Sequence, residues 1–282
     1  MKKIFLITLV VGFCLLAKAQ STDDKKYFLS SEANVYSFST LSFSDPYLSP
    51  MTYNGIGIGY SGSVRGFLTE KNLRITSVYK YNFNAGIALN KAYTSDILYL
   101  GGNYGWGIEY KLKPFHGLKV QVGGLWDVDL GMKNLERNIN NPVNMDLSTN
   151  LNLSGLLRYD IPLWHRNFQL QLSFQTPIVG YMFVPRAGAS YYEMFELGNL
   201  QDAFHFSSIH NKRGLSGDFS IVVPFRRSVW RFGLQLDKLR YKANNMVFDR
   251  SNFGLIIGTT MDAIRFGGTK KVVPQNFISP VE

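Results

Sequence analysis

Between Leu147 and Thr176 apolar and polar residues alternate through two consecutive runs. In the first, Leu147, Thr149, Leu151, Leu153, Gly155, Leu157, Tyr159 and Ile161 alternate with Ser148, Asn150, Asn152, Ser154, Leu156, Arg158 and Asp160. In the second, Phe168, Leu170, Leu172, Phe174 and Thr176 alternate with Gln169, Gln171, Ser173 and Gln175. Successive side chains on a strand point to opposite faces. The stretch is therefore a hairpin with one aliphatic and aromatic wall and one hydrophilic wall. The same reading places strands at 33–43, 53–67, 72–85, 97–113, 118–132, 214–225, 229–241 and 252–266, ten in all with the hairpin. In the second of the ten, Gly55, Gly57 and Gly59 oppose Ile56, Ile58 and Tyr60, so that one face is bare. No helical pattern follows these glycines, which excludes a nucleotide-binding GxGxxG loop. The parity of the last strand slips between Thr259 and Ile264, as a bulge would cause. A further hairpin within 181–196 would raise the count to twelve.

Most of these runs exceed the roughly 9–11 residues that a tilted strand needs to cross a bilayer. The links after the second, fourth, sixth and eighth strands read as short and the others as longer. Short turns on one side and long loops on the other mark transmembrane barrels. The fold class expected is thus all-β, an antiparallel up-and-down transmembrane β-barrel with both termini on the periplasmic side.

The start of the chain agrees with export. Met1, Lys2 and Lys3 precede an apolar run from Ile4 to Leu16 and then Ala17-Lys18-Ala19. This reads as a signal peptide cleaved after Ala19, since a spanning helix takes roughly 20 apolar residues. Bulky Phe13 before Cys14 argues against a lipoprotein. The expected layout is signal peptide 1–19, lead-in 20–32, barrel 33–266 and tail 267–282. Cys14 is the only cysteine, so the mature chain offers neither disulfides nor thiol chemistry. Aromatic residues make up 15% of the chain, enough for girdles at both lipid interfaces. The net charge falls from +10 to +7 when Lys2, Lys3 and Lys18 are removed. Lysine and arginine are scattered rather than clustered, which favours anionic lipid headgroups or acidic glycans over nucleic acid.

If the apolar face meets lipid, the polar face lines the lumen. The inward charges are then Arg65, Arg74, Lys80, Lys111, Lys119, Arg158 and Arg231, with Glu109, Asp127, Asp129, Asp160, Asp218, Asp237 and Asp262. A barrel this narrow is nearly filled by side chains, so these groups make an internal salt-bridge network or line a narrow polar pore. The balance of signs gives no ion preference.

Catalytic candidates are few. His116 and His165 fall in short turns. His205 and His210 share the segment 177–213 with Asp202, Glu193 and Glu196. Acid–histidine clusters on outer loops resemble the omptin proteases, whose barrels also have ten strands. The omptin arrangement sets a carboxylate pair on one loop against an Asp–His pair on another, and here the loop after the third strand offers only Asp96. A lipid esterase needs a histidine on an inward strand position, and none stands there. Asp202, His205 and His210 therefore form the only outer-loop hydrolase candidate, and no metal or cofactor is expected. The same segment carries Tyr181, Phe183, Tyr191, Tyr192, Met194, Phe195, Phe204 and Phe206. It either folds in as a lid or displays a stacking platform for a ligand or glycan.

The Ala-Lys-Ala-Gln end of the signal peptide and the Tyr-, Phe- and Asn-rich, cysteine-free strands resemble outer-membrane barrel families of unknown function common in Bacteroidota. The resemblance covers the mature chain and implies no catalytic residue. It implies outer-membrane lipid and the barrel-assembly machinery as partners. The tail beyond Phe266 departs from barrels that end on an aromatic residue. The expected function is structural, or the passive binding or passage of a small polar solute, without enzymatic activity.

Overall fold

The computed structural model describes residues 27–69, 71–115, 117–163, 166–200, 202–226, 228–264 and 277–281. The expected signal peptide, His116 and His165 lie outside them. The strands are β1 (Tyr27–Asp45), β2 (Ser49–Phe67), β3 (Ile75–Asn90), β4 (Asp96–Phe115), β5 (Leu118–Asn134) and β6 (Val143–Leu163). They continue with β7 (Arg166–Phe183), β8 (Phe204–Ser208), β9 (Lys212–Pro224), β10 (Val229–Ala243), β11 (Met246–Ile264) and β12 (Phe277–Ile278). One short helix, α1 (Tyr191–Phe195), lies between β7 and β8.

Strands β1 to β7 pair in order, β7 pairs with β9, and β9, β10 and β11 follow. The ring closes where β11 meets β1, from Leu29↔Ile264 to Ser44↔Asp249. It is an antiparallel barrel of ten strands. Strand β8 is an eleventh piece, paired with the last residues of β7 where β9 has diverged. The hairpin considered for 181–196 does not form, because those residues end β7 and build α1.

Side-chain parity matches the sequence pattern. On β6, Leu151 and Leu153 expose 49% and 39% of their surface, whereas Asn150, Asn152 and Ser154 expose 2%, 3% and 0%. A soluble sheet buries its apolar row; this one turns it outward on every strand of the ring. Tyr110, Tyr159 and Phe225 stand toward the end that holds the termini, and Tyr181, Phe204 and Phe206 toward the other. The bare face of β2 points inward. A Cβ on Gly57 would sit 2.8 Å from Leu41 Cδ1 and 3.0 Å from the Ala85 carbonyl oxygen, so glycine there lets the interior close.

Three expectations change. The strict short–long alternation of links is not observed. At the end away from the termini, 46–48 and the pair Asn244 and Asn245 suffice to reverse the chain. Both asparagines adopt positive φ, 49° and 60°, the geometry of a tight primed hairpin. Only 184–211 is a long excursion. The bulge expected in 259–264 is absent, since β11 pairs with β1 through that stretch without a register shift. Register shifts fall instead at Ile178, where β7 slips against β6 beside Leu151 and Asn152, and near the strand ends at Ser44/Asp45 and Leu112/Phe115. Finally, β1 starts at Tyr27 rather than 33 and β11 at Met246 rather than 252, and β3 and β7 run past their expected ends.

Candidate functional site

The barrel interior has three storeys. At the end away from the termini the inward positions turn apolar. Leu41, Phe43, Tyr53, Ile97, Tyr99, Met182 and Phe248 pack into one buried cluster across the mouth. The excursion 184–211 folds over it. Ser190 caps α1 by accepting from the Glu193 amide at 3.1 Å while its own amide donates to Glu193 Oε2 at 3.0 Å. This reciprocal pair fixes a helix too short to persist alone. Tyr191 then reaches down, its hydroxyl donating to Asn144 Oδ1 at 2.9 Å. Tyr47 holds the segment from the β1–β2 turn by donating to the Ala189 carbonyl oxygen at 2.7 Å. Burial, aided by Asp45 and Glu193, pushes the Tyr47 phenol up to about 12. Burial raises the Tyr191 phenol as well. Of the aromatic residues noted in the sequence, Phe183 and Tyr191 build this lid together with Met194, while Tyr192, Phe195, Phe204 and Phe206 stay exposed.

Below the lid is a polar layer. Lys133 pairs with Asp45 at 2.9 Å and with Asp146 at 2.8 Å. Asn144 donates to Asp45 at 2.8 Å, and the Tyr241 hydroxyl donates to Asp146 at 2.9 Å. Arg250 bridges Asp237 at 3.3 Å and the Tyr99 oxygen at 2.7 Å. Next to it Asp127 and Asp129 share two amides. Asn103 Nδ2 donates to them at 3.1 and 2.8 Å, and Asn150 Nδ2 at 2.8 and 3.0 Å. Lys212 donates to Ser148 and Asn150 Oδ1, both at 2.8 Å. A cavity of ≈ 70 Å³ opens among these groups.

Nearer the termini lies a second cavity of ≈ 90 Å³. Arg65 pairs with Glu109 at 3.2 Å, and Ser154 donates to Glu109 at 2.8 Å. Arg231 holds Asp218, which also accepts from Ser173 Oγ at 2.5 Å. Lys80 donates to Ser154 Oγ at 3.1 Å and to Gln175 Oε1 at 3.4 Å. The mouth below is crossed by the chain's own end. Residues 277–278 pair in parallel with 27–28 of β1, beyond the last pair that β1 makes with β11. On the opposite wall, Gln121 donates to the Pro280 carbonyl oxygen at 3.1 Å and Arg158 to that of Val281 at 3.4 Å. Ser279 and Val281 are buried.

Of the inward charges read from the sequence, Arg65, Lys80, Glu109, Asp127, Asp129, Arg158, Asp218, Arg231 and Asp237 face these layers. Lys119 and Asp160 pair with each other at 2.7 Å near the termini end, and Lys111 lies 4.7 Å over the Phe67 ring. Two assignments are corrected. Arg74 precedes β3 and is exposed, donating to the outward-facing Tyr110 at 3.3 Å. Asp262 keeps inward parity but is exposed near the end of β11. The structure does not bring the hydrolase candidate together. No hydrogen bond or ion pair joins Asp202, His205 and His210 among the described residues, and none of their groups of three acids or histidines could hold a metal. His205 stands on β8 opposite Met182, and His210 bonds Ser208 in the next turn.

The sequence reading missed Asp45, Lys133, Asp146, Lys212 and Arg250, all assigned to loops, and the inward return of the tail. The apolar Phe277, Ile278 and Val281 ending a polar segment were the signal for the latter.

Residues 3–270 match the family described as DUF3316, protein of unknown function. The chain belongs to that family. No curated protein matches this DUF3316 member. Among solved structures it is similar to the translocator domain of the autotransporter NalP from Neisseria meningitidis. Identity is 8%, over 94% of this chain and 98% of that one, with a TM-score of 0.43. It is also similar to the outer membrane protease OmpT from Escherichia coli, at 7% identity, 87% and 99% coverage and a TM-score of 0.41. The toluene transporter TbuX of Ralstonia pickettii matches at 8% identity, 87% and 90% coverage and 0.27. No site residue of this DUF3316 member follows from likenesses so distant.

Proposed function

We propose that this protein is an outer-membrane barrel that holds a small polar solute in a closed interior, rather than an open pore or an enzyme. One observation carries the reading: the ring turns its apolar rows outward and is stoppered at both ends, by the aromatic cluster with its lid and by residues 277–281. Apolar rows that face out need lipid, and a closed barrel satisfies every backbone group within a bilayer. The excursion 184–211 lies opposite the termini, which supports periplasmic termini and an outward-facing lid. Anionic headgroups and the barrel-assembly machinery are the partners this placement calls for. The hydrolase alternative draws no support from Asp202, His205 and His210, which share no hydrogen bond or ion pair among the described residues.

Planar-bilayer recording on the full chain, with insertion checked by vesicle flotation, tests the closed interior. The expected trace has no stepwise conductance. Regular steps of a water-filled pore contradict it.

A further inference from the structure

The cavity nearer the termini has more cations than anions, and this excess has a consequence for what occupies it. Glu109 neutralises Arg65, and Asp218, the only acid in the lining among the described residues, neutralises Arg231. Lys80 is left. Its amine enters the same cavity with a serine hydroxyl and a glutamine oxygen as its hydrogen-bond partners; among the described residues no carboxylate pairs with it, and Glu109 and Asp218 act on it only from beyond ion-pair range. Arg65, 4% exposed, uses Nε on Glu109 and Nη1 on Ser63, while buried Nη2 has no acceptor among the described residues. A buried ammonium without a counter-charge is costly, and so is a buried guanidinium donor without an acceptor. One small anion between the two satisfies both. Guanidinium and ammonium donors together suit an oxyanion.

Size sets the class. A water needs about 10–15 Å³ of cavity, so ≈ 90 Å³ admits a group of a few heavy atoms and no sugar. We infer that Arg65 and Lys80 form a buried binding site for one small oxyanion, of the size of sulfate, phosphate or a short carboxylate. This rests on the reading of a closed, solute-holding barrel and names the solute's charge and size. The tail covers the site, because Arg158 and Gln121, which hold Pro280 and Val281, lie on the wall beneath it.

Equilibrium dialysis of the full-length barrel in detergent against radiolabelled sulfate, with chloride holding ionic strength constant, tests the site. The expected result is saturable uptake of one sulfate per chain, displaced by phosphate or by acetate. Lys80→Met weakens it by roughly tenfold or more, and Lys80→Gln does the same if the apolar variant misfolds. Glu136→Gln, exposed in the loop at the opposite end of the barrel, leaves it within about twofold, as expected for distant sites. No saturable uptake, uptake that neither anion displaces, or uptake unchanged by both Lys80 variants overturns the proposal. Uptake in detergent is independent of conductance, so a conducting barrel that still binds sulfate would remove the closed-barrel reading and leave the site.

Discussion

Lys133 shows what single residues contribute here. Its side chain is 4% exposed and sits between Asp45, 1% exposed, and Asp146, 14% exposed. Removing one member of a buried ion pair leaves an uncompensated charge, which typically costs about 3–5 kcal/mol. Lys133→Ala is therefore expected to lower unfolding stability by that amount, measured by denaturant titration in lipid. Asp45→Asn in the same chain recovers part of it, because the remaining charge is then Asp146 alone. A loss below about 0.5 kcal/mol would mean that water reaches the triad. Glycine works at the same scale by absence: Gly57 lets Leu41 fill the space above it, where a Cβ would stand 2.8 Å from Leu41 Cδ1 and push that side chain aside.

The two stoppers are elements of different strength. The lid is tied by Tyr47, Tyr191, a capped helix and stacked rings, Tyr191 on Phe195 at 6.0 Å among them. The tail is held by two paired residues and two side-chain hydrogen bonds to carbonyl oxygens, so it is the weaker closure. The lid has a pH limit set by Tyr47. Its folded value of about 12 lies above the ordinary 10.0. Stability from the neutral phenol is therefore complete below pH 10 and is lost as pH rises through about 12. The phenolate difference absorbance between wild type and Tyr47→Phe should titrate near 12; a midpoint near 10 would show the hydroxyl facing water. Strand identity and facing were legible in the sequence because period-2 alternation survives wherever lipid opposes a polar lumen. It fades near the lid, where Phe43, Tyr53 and Phe248 turn inward beside Asp45, Lys133 and Arg250. Both faces are mixed there, and the strand ends read as loops. For the same reason the polar layer built on Lys133, Asp146, Lys212 and Arg250 was invisible, while Asp127 and Asp129, on cleanly alternating β5, were not.

At the scale of the molecule, the barrel inverts a soluble protein. Its interior is ionic and hydroxylic, and its exterior is Leu, Ile, Phe and Tyr. Neither surface is stable without the other's surroundings: the outer rows need acyl chains, and the inner charges need partners and a closed space. Ring closure is what allows both, since the β1–β11 seam leaves no open edge in hydrocarbon. The site for Arg65 and Lys80 and the storeys above it depend on that closure. The most direct test is to place single cysteines, in turn, at 150–155 of a Cys14→Ser chain and attach spin labels in a bilayer. Accessibility to oxygen and to a water-soluble nickel complex is then read at each position. The outward positions Leu151 and Leu153 should favour oxygen and their neighbours Asn150, Asn152 and Ser154 should not, with a period of two. Equal access at both parities, or oxygen favouring the asparagines, would contradict a lipid-facing apolar wall.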